Sequence, residues 1–114
     1  MSLKRGEIYD ANLDPVFGSE AGKTRPVLVV QNDIGNMYSP TTIVAVVTEY
    51  SAKKASYPVC VAIPRSEGLQ KRSVVNLSQI RTIDKGRLLP QRLASISPQV
   101  MQEVELALRR SLDL

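Results

Sequence analysis

The sequence predicts a mainly β fold, a small barrel or sandwich with one helix at its C-terminal end. Three observations carry this. Short runs of strand-forming residues recur between connectors rich in turn residues. The run Pro26-Val-Leu-Val-Val-Gln31 lacks polar alternation, so as a strand it is buried on both faces. After Ser97-Pro98 the apolar spacing changes from strand period to helical period.

In chain order, a first strand is expected within Lys4–Ala11, centred on Ile8 and Tyr9. Asp14–Thr24 holds two glycines and a proline and reads as a long loop. Phe17, the chain's single phenylalanine, lies in that loop and admits two readings, an anchor tucked beneath it or a stacking contact for a base or partner. Val27–Gln31 is the second strand. Pro26 has no N–H to give to a ladder, so it marks where pairing begins and keeps Arg25 just outside, available for chemistry. Thr42–Thr48 is the third strand. If it pairs antiparallel with the second across Asn32–Thr41, with Asn36 and Met37 at the centre, Gln31 faces Thr42 and Arg25 faces Thr48 on the same side. A bulge would slip that match by one residue.

Glu49–Ser56 is a polar connection carrying Lys53 and Lys54, and Val59–Ile63 is the fourth strand. Pro64–Arg72 reads as a loop with Gly68 at its tip. Ser73–Leu77 gives a fifth strand and Ile80–Ile83 a short sixth that runs out at Asp84–Arg87. Ser97 is placed to N-cap a helix with Pro98 at its first position, and Val100, Met101, Val104, Ala107, Leu108 and Leu112 recur on one helical face. Glu103 and Glu105 precede Arg109 and Arg110, the order a helix dipole favours. One domain spanning residues 1–114 is expected.

Composition narrows the chemistry. At 43% apolar and 23% charged residues the chain is ordinary globular protein, long enough to bury a core without disulfides. It contains no histidine, which excludes Ser-His-Asp and Cys-His triads and removes the commonest metal ligand. With one cysteine and scattered carboxylates, no metal constellation assembles at the usual spacings, so no metal and no cofactor is expected. Cys60, inside an apolar run, reads as a small core residue rather than a nucleophile. A single thiol and no leader segment fit a cytoplasmic protein, and no apolar run approaches the length of a membrane span. The net charge is +4, and all the excess lies in the second half: residues 1–57 carry six basic and six acidic groups, residues 58–114 nine and five. That surplus suits a polyanionic partner.

Several blocks together resemble one family: Arg5-Gly-Glu-Ile-Tyr9, Gly18-Ser-Glu-Ala-Gly22, Thr24-Arg-Pro-Val-Leu-Val-Val-Gln-Asn-Asp33, Ser39-Pro-Thr41 and Gln79-Ile-Arg-Thr-Ile-Asp-Lys85. The chain is similar to the MazF/PemK toxins of bacterial toxin–antitoxin systems, and most to their Gram-positive MazF branch. The resemblance implies an SH3-like β-barrel with helices, of the MazF/CcdB-like kind. It also implies a homodimer, a cognate MazE-like antitoxin, and sequence-specific, ribosome-independent cleavage of single-stranded RNA. The family's catalytic arginine and threonine fall on Arg25 and Thr48, the pair that the hairpin count placed together.

The residues suit that chemistry. RNA carries its own nucleophile in the ribose 2′-oxygen, so an enzyme needs to hold it in line and stabilise charge on the phosphorus oxygens. Arg25 offers a permanently charged fork for phosphate, and Thr48 a hydroxyl for the same group. Glu20 is the candidate base, while Phe17, Ser19, Asn32, Gln79 and Arg81 are the candidate RNA contacts. Each has a plainer alternative. Paired with Asp33 or Glu20, Arg25 would be a structural ion pair; Asn32 suits a turn, Gln79 a bend, and Arg81 a subunit interface. A non-catalytic module on the same fold, such as a CcdB-like gyrase poison, is the competing function.

Overall fold

The computed structural model describes residues 2–114. Six strands and three helices follow in the order β1 (Glu7–Asn12), β2 (Thr24–Val29), α1 (Asp33–Tyr38), β3 (Thr41–Glu49), α2 (Ala52–Ala55), β4 (Cys60–Ile63), β5 (Ser73–Asp84), β6 (Leu88–Ser95) and α3 (Pro98–Leu112). Single 3-10 turns lie at Arg65–Glu67 and Lys85–Arg87. The strands form one antiparallel sheet in the order β4-β5-β3-β2-β1-β6. The sheet is open by hydrogen bonding but curls strongly. Val61 and Ile63 of one edge strand share a core cluster with Ala94 of the other.

β2 is central, and its Val27–Val29 stretch is buried on both faces, as the unbroken apolar run predicts. Leu28 packs with Ile8, Val47 and the α3 residues Val100, Val104 and Ala107, while Val27 and Val29 point oppositely into a second cluster with Tyr9, Leu13 and Ile83. The strand nevertheless begins earlier than expected. Arg25 sits inside the ladder with β1, opposite Ala11, and outside the one with β3, which starts at Val27. The backbone explains why: Val30 N–H donates to Ile43 C=O, so even-numbered residues of β2 turn their polar groups to β3 and the N–H that Pro26 lacks falls on that side.

Four connections differ from expectation. The segment before β3 contains α1, started by Asn32, whose Oδ1 accepts Gly35 N–H at 2.8 Å. The Lys53-Lys54 connection contains α2, capped by Ser51. The expected fifth and sixth strands are one strand, β5. Asn76 lies opposite Val46 and Ile80 opposite Ala45, so Leu77–Gln79 bulge out between them, and the polar Ser78-Gln79 pair that looks like a break in the sequence is the bulge itself. β6 was not anticipated. It is an edge strand with Pro90 and exposed Leu89 and Leu93, and two register shifts against β1 spoil its alternation.

α3 starts as its sequence predicts, with Ser97 Oγ accepting Val100 N–H and Pro98 in the first turn. Leu112, expected on its buried face, is 51% exposed because the helix outruns the sheet beneath it. Cys60, expected in the core, is half-buried at the start of β4.

The α1 turn is fastened by a buried polar knot. Asn36 Oδ1 accepts from Thr42 Oγ1 at 2.8 Å and Gln31 Nε2 at 3.1 Å, and its Nδ2 donates to Gln31 C=O at 3.0 Å. Thr42 is wholly buried, so losing Asn36 strands its hydroxyl without a partner. Asn36→Ala is expected to lower unfolding free energy by about 3 kcal/mol, measured by urea denaturation, with Asn36→Asp recovering part of it.

Candidate active site

The β2–β3 register pairs Val27 with Val46, Leu28 with Ala45 and Val29 with Val44. Continued two residues outward without a bulge, it sets Arg25 opposite Thr48. Both line one cleft of about 680 Å³, bounded by the ends of these strands, the Gly68–Lys71 loop and Gln91–Leu93 of β6. Arg25 is half-buried, and its Nε donates to Gly22 C=O at 2.9 Å. Its terminal nitrogens take no hydrogen-bond partner among the described residues. The guanidinium is therefore held by its stem side while its prongs stay available.

The structural ion pair considered for Arg25 is not formed. Among the described residues the salt bridges are Arg5–Glu105 and Arg92–Glu7. Asp33 instead accepts Arg5 N–H at 2.7 Å, and that bond holds its carboxyl below the usual range. Glu20 accepts the N–H of Phe17 at 2.7 Å, closing the turn of its own loop.

The remaining sequence candidates divide between places. Glu20, Gln79 and Arg81 line a second hollow of about 230 Å³. There Gln79 Oε1 accepts Ala21 N–H at 3.5 Å, and Arg81 Nη1 donates to Leu13 C=O at 2.8 Å, tying β5 and its bulge to the long loop. Phe17 is 86% exposed at the tip of that loop, so it is not an anchor beneath it. Ser19 is exposed beside it. Asn32 lies at the far end of β2 from Arg25 and uses its carbonyl as the α1 cap, the turn role. Within one protomer Glu20 and Arg25 therefore occupy different hollows.

Several groups in or beside the main cleft escaped the sequence reading. Asp10, Glu49, Lys71 and Arg92 line it. Lys54 Nζ lies 3.4 Å from Thr48 Oγ1. Arg72 is not free, since its guanidinium stacks 3.7 Å over the Tyr50 ring. Arg92 lies on the unanticipated β6, and the lysines sit in segments that composition marks only as polar. The Cys60 thiol is not an activated one. Burial pushes its thiol above the ordinary value, with nearby Lys54 opposing only in part.

A family model described as the PemK-like, MazF-like toxin of type II toxin–antitoxin systems matches residues 4–112. The chain belongs to that family. It is 49% identical over 115 aligned positions to Endoribonuclease EndoA of Bacillus subtilis, covering 100% of this chain and 97% of the relative. It is likewise 49% identical to Endoribonuclease MazF of Staphylococcus saprophyticus, covering 98% and 92%. Both bear out the resemblance to the Gram-positive branch. Among solved structures, MazF from Deinococcus radiodurans superposes with a TM-score of 0.84 at 26% identity over 100% of this chain and 99% of that one. An endoribonuclease in complex with its cognate antitoxin from a mycobacterial species gives 0.81 at 26% identity over 98% and 96%. The mainly β toxin fold expected from the sequence is thus the fold observed.

The loop that holds Arg25 in this toxin depends on Gly22. A Cβ there would lie 2.6 Å from Asp14 Oδ1 and from Val16 Cγ2, and that Asp14 oxygen accepts Lys23 N–H at 2.8 Å. Relieving the clash costs this bond and shifts the Gly22 carbonyl. Gly22→Ala is expected to speed tryptic cleavage after Lys23 at least about tenfold while melting falls by less than about 5 °C, as for local rather than global opening. Unchanged cleavage kinetics would show that the loop tolerates the methyl.

Proposed function

We propose that this toxin is a sequence-specific, ribosome-independent endoribonuclease that cuts single-stranded RNA through its own 2′-oxygen, so blocking translation. Membership of the family and the two endoribonuclease relatives support the activity. The observation that carries the mechanism is Arg25, fixed at Nε by Gly22 with its terminal N–H groups unpartnered beside Thr48. In the reaction a bond forms from O2′ to phosphorus and the bond from phosphorus to O5′ breaks. The 2′-hydroxyl gives up a proton and O5′ gains one, leaving a 2′,3′-cyclic phosphate and a 5′-hydroxyl with no water consumed. Arg25 binds two phosphorus oxygens as negative charge builds on them, and Thr48 donates a third hydrogen bond. A guanidinium has no acceptor lone pair to offer and is a poor proton acceptor, so its role is electrostatic.

Glu20 as base within one protomer draws no support from its place in the second hollow; Asp10 and Glu49 are the carboxylates that line the cleft with Arg25. Phe17, Ser19, Gln79 and Arg81 form the side available to RNA bases, with an exposed ring for stacking. Asn32 is the weakest of the RNA contacts, being committed to its cap. The competing reading, a non-catalytic gyrase poison of CcdB-like kind, has no use for the poised fork of Arg25.

The same reading takes residues 1–114 as one toxin domain acting in the cytoplasm as a homodimer. Its inhibitor is a cognate MazE-like antitoxin whose acidic, apolar segment folds onto the basic surface. Among the described residues no helix is long and apolar enough to cross a membrane. Light scattering at micromolar concentration is expected to give twice the chain mass, and a monomer there would contradict the dimer.

Arg25→Ala is expected to slow cleavage of a long single-stranded RNA at least about a hundredfold, a barrier increase of roughly 2.7 kcal/mol, with much smaller loss of binding. Arg25→Lys should recover only part, because a point charge cannot reproduce the fork. Since the nucleophile is supplied by the substrate, wild-type cleavage is expected to persist in excess EDTA. Rates near wild type for Arg25→Ala, or loss of activity only through unfolding, would remove Arg25 from the mechanism.

A further inference from the structure

We propose that Lys54 is a positioning residue that aims the Thr48 hydroxyl at the phosphate. The inference rests on the reading of Arg25 and Thr48 as the phosphate-binding pair. Lys54 Nζ lies 3.4 Å from Thr48 Oγ1. An ammonium has donors and no acceptor, so in this contact the threonine oxygen accepts. With a lone pair occupied by the ammonium, the rotor turns its proton away from Lys54, leaving the hydroxyl as a donor into the cleft that Thr48 lines. That is the polarity needed when charge builds on a phosphorus oxygen, and a hydroxyl that accepts from a cation is a stronger donor.

The backbone that carries the lysine is held in place. Lys54 N–H donates to Ser51 Oγ at 3.1 Å, Ala55 N–H to Ser51 C=O at 3.0 Å, and Tyr57 N–H to Lys54 C=O at 3.2 Å, so both ends of this short turn are fastened. Thr48 itself is fixed in β3 opposite Val74, and the next backbone N–H but one, that of Tyr50, donates to Arg72 C=O at 3.1 Å. No carboxylate forms a salt bridge with Lys54 among the described residues, although Glu49 adjoins Thr48 in sequence. Its charge is thus not quenched by a close ion pair. A lysine near the end of α2 serving only the helix terminus would affect stability and leave the chemical step alone.

The test is a double-substitution cycle under single-turnover conditions, on a short RNA spanning a cut mapped in a longer transcript. Affinity is read separately with the same RNA carrying a 2′-deoxy sugar at the cut. Lys54→Met is expected to lower the cleavage rate about tenfold, with affinity changed less than about threefold and melting unchanged within about 2 °C. Lys54→Arg, which retains a charged donor, should recover most of the rate. In a Thr48→Val background Lys54→Met should cost less than about twofold further, because the group it acts through is gone. If Thr48→Val is slow but Lys54→Met is as fast as wild type, or its effect multiplies fully with that of Thr48→Val, the role of Lys54 is overturned and the phosphate-binding pair stands. Wild-type cleavage by Thr48→Val would overturn the pair itself, and the inference with it.

Discussion

The double-sided burial of β2 is the constraint on which the rest of the molecule depends. Val27, Leu28 and Val29 have no exposed surface, and they alternate between two separate core clusters. A one-residue slip of β2 against β3 would exchange those faces, driving each side chain into a cluster shaped for its neighbour. Burial thereby fixes register more firmly than backbone pairing, which on the β3 side is a short ladder over Val27–Val29 continued by the Val30 and Gln31 N–H bonds to Ile43 C=O. The placement of Arg25 across from Thr48 follows from that register alone. The proposed catalytic geometry at the strand ends is thus held by apolar packing in the strand middle.

This is also why so much of the central fold is legible in the sequence. An apolar run with polar mouths has few ways to be satisfied, and the count from Asn36 and Met37 succeeds even though that segment is a helix and not a simple turn. The helix uses the intervening residues without changing the parity of the flanking strands. Elsewhere the signal is weaker for physical reasons. Ser78-Gln79 reads as a gap because a bulge removes residues from the ladder while the chain continues, and a period-of-two reading cannot count across it. β6 escapes notice because an edge strand needs one protected face, and its bulges against β1 move even that face out of alternation.

The site divides along the same line. Arg25 and Thr48 are legible because they lie on strands whose pairing can be counted. Arg92, Asp10 and Lys71 reach the cleft only through the order of strands in the curled sheet, which local pattern does not contain. Asn32 shows the opposite ambiguity. A side chain able to read a base edge is equally able to cap a helix, and the local N–H of Gly35 lies nearer in sequence than any ligand. Glu20 is similar, since its carboxylate finds the Phe17 N–H three residues away before it finds a substrate.

The long loop between β1 and β2 joins the two hollows mechanically. Its tip carries the exposed Phe17; its middle is tied to the β5 bulge through Ala21 and Gln79; its end presents the Gly22 carbonyl that holds Arg25 Nε. Asp14 closes the loop base by accepting Lys23 N–H, so these attachments lie on one short circuit of chain. Ala21, tied to Gln79 at the second hollow, is bonded directly to Gly22, whose carbonyl takes the Arg25 Nε–H. On the proposed mechanism, nucleic acid bound at the loop would therefore not be independent of the chemistry at the cleft. Binding energy gained by stacking on Phe17 or at Gln79 would then be available to set the fork of Arg25, the route by which recognition far from the reacting phosphorus raises a rate as well as an affinity.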